Sequence, residues 1–304
     1  MNLQYIDIHS HLNLAPLSEN QEVILAKMRE MNVGTITVGT GMETSKMAIE
    51  IAEANPDICW ATVGFHPCDG HVPSGESDWN ELEQLASHEK VVAIGETGLD
   101  YFRDQSSETK QKQTEIFKKH IELAIRVNKP LMLHVRASKG TDDAYYDALE
   151  ILQQYSSPLR GVDSAESLTG SSLQEEHGTT RLEVAPLIEE LSEGLRSIAI
   201  HANFHFFSGS TQCMLDIIDA GFTVSVDGPI TFVNEYDEMI IACPIDKIMI
   251  ETDAPFAAPV PYRGKTCEPW MVVEIAKKIA ELKGMDLETL RVQLLENSKT
   301  FFGI

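Results

Sequence analysis

Read from the first residue, the chain alternates between short runs of apolar, often β-branched residues and longer stretches with helical spacing. The apolar runs are Tyr5–His9, Thr35–Thr40, Trp60–Phe65, Val91–Glu96, Pro130–Val135, Ser197–Phe206, Phe222–Val226 and Lys247–Thr252. Such runs, bounded by turn residues and too short for helices, predict buried strands. Between them the spacing predicts helices over Glu19–Met31, Thr44–Ala54, Ser77–Ser87, Glu108–Asn128, Asp142–Gln154, Thr211–Ala220, Asn234–Ala242 and Glu268–Lys283, with a closing helix over Asp286–Phe301. Asn128-Lys129-Pro130 marks one boundary, because the residue before a proline disfavours the α region. Eight strands alternating with helices predict an α/β protein of the (β/α)8 TIM-type barrel class. A doubly wound sheet would usually carry a glycine-rich phosphate turn, and the chain has none.

One stretch breaks the alternation. Ser156–Arg196 holds Ser-Ser-Pro, Gly-Ser-Ser and His-Gly-Thr-Thr, with a short acidic helical patch at Val184–Glu193. It falls between the fifth helix and the sixth strand, where about 2–6 connecting residues are usual. It reads as a surface insertion in a single domain spanning residues 1–304.

Composition narrows the class. At 304 residues and 43% hydrophobic content the chain can bury one large core. No apolar stretch approaches a membrane span, no signal peptide is recognisable, and five widely spaced cysteines without a CxxC pair read as reduced thiols. Together these predict a cytoplasmic protein. The 47 acidic against 24 basic residues give a net charge of −23, which argues against a broad basic surface for nucleic acid. A phosphate gripped locally by cations remains compatible with that charge.

Chemistry-bearing residues recur at the ends of the predicted strands. His9-Ser10-His11 ends the first, and residues i and i+2 on a strand share a face, so both imidazoles can reach one point. Ten histidines placed at random would give roughly 0.3 such pairs, so the pair alone says little. Glu96 ends the fourth run, His134 stands at the end of the fifth, His205 ends the sixth, and Asp253 follows the eighth. Ionisable groups there are costly to bury unless paired or bound to metal, and a barrel gathers its strand ends on one face. His66 is expected to support a ligand or substrate. His205 is preferred over His201 as the sixth-strand donor, and His71, His88, His120 and His177 are expected in packing or surface roles. Arg136, Arg263 and Lys265 are candidate phosphate contacts, and Tyr101 a candidate substrate contact.

These words resemble the TatD-type metal-dependent deoxyribonucleases, a branch of the amidohydrolase-like barrels. They are IDIHSH at the start, GFHP at 64–67, GETGLDY at 95–101, Gln113-x3-Phe117, LHVR at 133–136, HFFSG at 205–209, ETDAP at 251–255 and RGK at 263–265, with Asn297 and Phe302-Gly303 suiting the tail. The chain departs from the family's usual residues at Phe206, Cys267, Cys68 and Ala137, none of them a predicted ligand. The resemblance implies two divalent ions (Mg, Mn or Zn) held by His9, His11, Glu96, His134, His205 and Asp253, with Glu96 bridging. It implies hydrolysis of DNA from a 3′ end, on single strands or 3′ ends, with Asp253 as ligand and general base for the attacking water. An ester or amide hydrolase, such as an aminoacyl-tRNA deacylase, would use the same residues, and a catalytically silent metal-binding barrel would keep them without turnover.

Overall fold

The computed structural model describes residues 2–68, 73–156 and 200–304. The predicted insertion at 156–196, and with it His177, lies outside the described residues apart from its first residue; His71 lies outside them as well.

Eight parallel strands follow one another around the barrel in chain order. They are β1 (Tyr5–Ser10), β2 (Val33–Thr37), β3 (Cys59–Val63), β4 (Val91–Asp100), β5 (Leu131–Arg136), β6 (Ala202–His205), β7 (Thr223–Val226) and β8 (Ile248–Ile250). Each lies beside its predecessor, and the ring is completed where Ser10 bridges Ala254 and Asp253 N–H donates to His9 O at 2.9 Å. Around it run α1 (Gln21–Met31), α2 (Met42–Ala54), α3 (Glu76–Ala86), α4 (Ser107–Val127), α5 (Asp143–Ser156), α6 (Thr211–Asp219), α7 (Asp237–Ala242), α8 (Val272–Lys283) and α9 (Leu287–Phe302). The (β/α)8 class predicted from the apolar runs is the architecture observed.

Local chemistry explains the boundaries. Ser106 caps α4 by accepting from Thr109 N–H at 3.3 Å, and Asn128 ends it in the left-handed region at φ 51°. Phe117, Ile121 and Ala124 give α4 the apolar stripe that packs on β4. The strands are buried along nearly their whole length because helices cover them outside and side chains fill the barrel inside, hence their unbroken apolar runs. Asn297 of α9 donates to Ile245 O at 2.7 Å and Ile248 O at 2.8 Å, tying the closing helix to the start of β8.

Two strand ends differ from expectation. β4 does not stop at Glu96 but continues to Asp100, through an irregular register between Ile94 and Thr97. Gly98 allows it: it sits at φ 141°, and a Cβ there would lie 2.1 Å from His134 O. β4 therefore presses on β5 beside His134. In contrast β8 is short, so Asp253 stands three residues beyond it.

Candidate metal centre

At the carboxyl ends of the strands one carboxylate lies at the centre of five imidazoles. Glu96 Oε1 lies 2.9 Å from His134 Nδ1, 2.9 Å from His205 Nε2 and 3.5 Å from His66 Nε2. Its other oxygen, Oε2, lies 3.4 Å from His9 Nε2 and 4.0 Å from His11 Nε2. Asp253 Oδ1 completes that second side, 3.3 Å from His11 Nε2 and 3.7 Å from His9 Nε2. All six predicted ligands thus converge, and His66 joins them, its ring centroid 4.3 Å from that of His134.

The donor set suits divalent cations. His9, His11, Glu96 and His205 are buried, and no lysine or arginine is ion-paired to the carboxylates among the described residues. Three overlapping groups have their donor atoms within 4.8 Å of one another: His9–Glu96–His205, His9–His11–Asp253 and His66–Glu96–His134. Neutral imidazole with carboxylate is a usual environment for first-row divalent ions.

Electrostatics within the cluster are uneven. Burial alone would raise the Glu96 carboxyl, but His66, His205, His9 and the His134 hydrogen bond outweigh it and hold it well below the usual range. Burial likewise opposes charge on His205, yet Glu251 and Glu96 raise its imidazole well above the ordinary value. His9 stacks face to face on His205, centroids 3.8 Å apart, and burial together with that neighbour pushes His9 down. Against burial, the Asp253 hydrogen bond raises His11, and the same pairing lowers Asp253.

Behind the imidazoles are residues that sequence reasoning missed. His134 Nε2 meets Asp100 Oδ2 at 3.1 Å, and His205 Nδ1 meets Glu251 Oε1 at 3.3 Å. Gln113 holds Asp100 reciprocally, donating to its carbonyl at 3.1 Å and accepting its N–H at 3.0 Å. Glu251 accepts from Phe206 N–H at 2.6 Å and from the Ser225 hydroxyl at 2.7 Å. Asp7 accepts from Thr252 N–H at 2.9 Å and from its hydroxyl at 2.8 Å. Asp7 sits two residues before His9 on the same face, and Glu251 directly follows the β8 run, so position was their available signal. Asp227, just past β7, is buried with one oxygen lacking a hydrogen-bond partner among the described residues, and burial pushes it well above the usual carboxylate range. Phe206 and Asp253 both take φ near 50°, unusual for side chains with a Cβ, and each is held there by its N–H bond to Glu251 or His9.

A cavity of about 500 Å³ opens above the cluster, its wall including Arg103, Arg136, Ser208, Tyr236 and Phe256. Of the predicted substrate contacts, His66 and Arg136 line it, whereas Tyr101, Arg263 and Lys265 do not. Tyr101 is buried with its hydroxyl donating to Asp147 at 2.9 Å, which turns it away from the cavity. Arg263 is exposed and lies over the Phe232 ring, and Lys265 is exposed beside Tyr262. His120 is buried, accepting Phe65 N–H at Nε2, and burial lowers it to about 4. His88 pairs with Glu53, and His201 is exposed, so both stand apart from the cluster. Among the described residues no helix is long and apolar enough to cross a membrane.

A parallel barrel with a histidine–carboxylate cluster at its strand ends defines a class of metal-site barrels, and comparison gives the family. The family model described as "TatD related DNase" matches residues 6–303, and the chain belongs to that family. It is 33% identical over 301 residues, covering 98% of each chain, to a Bacillus subtilis protein named uncharacterized metal-dependent hydrolase YabD. It is 28% identical over 305 residues, covering 98% of this chain and 96% of the other, to the Escherichia coli protein named uncharacterized metal-dependent hydrolase YcfH. The crystal structure of the TatD homologue YjjV from E. coli shares the fold, with a TM-score of 0.76 at 22% identity over the whole of both chains.

Proposed function

We propose that the protein is a metal-dependent hydrolase that cleaves phosphodiester bonds of DNA, working from 3′ ends on single strands. The observation that carries this reading is the division of one carboxylate: Glu96 turns Oε1 to His134 and His205, and Oε2 to His9 and His11. In this reading His9, His11 and Asp253 would hold one divalent ion and His134 and His205 a second, with Glu96 shared between them. When bound, two such ions lower the pKa of a water and offset charge on phosphoryl oxygens.

The remaining work falls to the chain. Asp253, kept ionised by its hydrogen bond to His11, takes the proton of the attacking water. Asp100 and Glu251 fix the ring orientations of His134 and His205 from behind. Arg136 at the cavity wall offers a planar donor fork that matches a phosphate. The family described by its model as DNase supports the phosphodiester substrate over an acyl ester. The test is turnover of single-stranded DNA, a phosphodiester and an aminoacyl-tRNA by chelator-stripped protein with added Mg, Mn or Zn. DNA shortened from its 3′ end with about two metal equivalents bound is expected. Cleavage of the acyl bond alone would move the assignment to an acyl hydrolase, and tight metal binding with no turnover of any substrate would remove the catalytic reading.

A further inference from the structure

The described residues include six arginines; Arg263, exposed over the Phe232 ring and outside the cavity, has no ion-pair partner among them, and the other five divide by location. Arg29, Arg126 and Arg291, none of which lines the cavity, are ion-paired with Asp57, Glu83 and Glu288. Arg103 and Arg136 both lie in the cavity wall, and among the described residues neither has an ion-pair partner. In a chain with 47 acidic residues against 24 basic ones, a carboxylate is the partner an arginine most readily finds. Guanidinium groups left without one, at the mouth of a cavity whose floor is built for cations, are free to take an anion from outside.

The local structure holds both in place. Arg136 ends β5 opposite Asp100 of β4, and its guanidinium lies over the Phe102 ring, 3.9 Å from the centroid. Asp100 Oδ1 accepts from Phe102 N–H at 3.0 Å and Arg103 N–H at 3.2 Å, while Oδ2 faces His134. Arg136 O accepts Tyr101 N–H at 2.8 Å. The carboxylate that orients His134 therefore also folds the turn that carries Arg103.

We infer that Arg103 and Arg136 form a subsite for a second phosphate, the one adjoining the phosphodiester that is cut. This rests on the phosphodiesterase reading above and specifies its substrate: an oligonucleotide carrying a phosphate beside the scissile one is preferred over an isolated phosphodiester. The net charge of −23 opposes any extra phosphate, so such a preference has to be local.

The experiment compares a thymidine dinucleotide containing one phosphodiester with the same dinucleotide bearing an added terminal phosphate at its 5′ or its 3′ end. In wild-type holoenzyme one of the two phosphorylated forms is expected to show kcat/KM at least about tenfold higher, the scale of a charge-assisted hydrogen bond. In Arg103→Gln and Arg136→Gln the ratio should shrink toward one. Because both substrates are read on one preparation, a partly unfolded variant cancels from the ratio. Equal kcat/KM for all three dinucleotides in wild type, or a preference that survives both substitutions, overturns the subsite. If none of the three is hydrolysed with Mg, Mn or Zn, it is the phosphodiesterase reading that fails. The subsite is then decided by binding of fluorescent versions of the same dinucleotides to metal-stripped protein. A preference for a phosphorylated form that is lost in the variants supports it, and equal binding overturns it.

Discussion

The two sides of Glu96 are built differently. On the side of β5 and β6, each imidazole is held at both nitrogens: His134 between Glu96 and Asp100, His205 between Glu96 and Glu251. On the side of β1 and β8, His9 and His11 meet Glu96 and Asp253 through Nε2, but Nδ1 of each is buried without a hydrogen-bond partner among the described residues. The rings of the first side are oriented by protein alone. Those of the second take no hydrogen bond from the rear among the described residues, so their orientation rests on the stacking of His9 on His205 and on what stands in front of them. A cluster that looks symmetric in its ligand types is thus pre-set on one side and completed by its occupant on the other.

The largest expected effect comes from removing what the two sides share. Glu96→Gln should lose one metal equivalent and bring turnover close to background, measured by metal analysis and hydrolysis of an oligonucleotide. Unchanged stoichiometry and rate would make Glu96 a structural residue and dissolve the comparison.

Asp253→Asn tests the β1–β8 side alone. It should keep at least one metal while the rate drops by about 10²–10⁴-fold, the range for losing a general base. A rate within about threefold of wild type would take Asp253 out of that role.

Asp100→Asn and Glu251→Gln test the rear supports. Each should weaken metal affinity by about 10–100-fold, as for other groups that orient a ligating histidine. Affinities equal to wild type would mean that the two sides are held alike. Stripping the metal offers a complementary view by hydrogen exchange. Protection should fall around His9–Asn13 and Asp253 and persist at His134 and His205, and a uniform change would contradict the asymmetry.

A histidine belonging to neither side leaves turnover aside and calibrates the pH response. His120 is buried and lowered to about 4, against an ordinary value of 6.5, so between those values the unfolded chain binds a proton that the folded one does not. Stability attributable to this group therefore falls as pH drops from about 6.5 to 4, by roughly 3 kcal/mol at most. Thermal melts of metal-stripped His120→Gln should show a shallower acid slope than wild type, and an identical slope would place the acid sensitivity elsewhere.

Much of this arrangement was legible because a barrel makes sequence position equal to spatial position. An apolar run followed by a histidine or carboxylate marks a strand and the group at its mouth, which is how His9, His11, Glu96, His134, His205 and Asp253 could be singled out without coordinates. The supports were not legible for the same reason. Asp100 lies in the extension of β4 past Glu96, where the fourth run was expected to end, and Glu251 is overshadowed by Asp253 two residues on. Tyr101 and Arg136 show the limit for substrate contacts. Both follow predicted strand ends, yet one points into the packing against Asp147 and the other into the cavity. Which way a side chain turns there depends on partners far away in the chain.

The closure of the ring by Ser10 and Ala254 also has a consequence for biosynthesis. The first strand precedes its partner by some 250 residues, roughly 12–50 s of synthesis at 5–20 residues per second. Until then β1 has an open edge and His9 and His11 have no Asp253, so a nascent chain cannot assemble the complete cluster. An ion that needs His9, His11 and Asp253 together can be held there only once the eighth strand has been made.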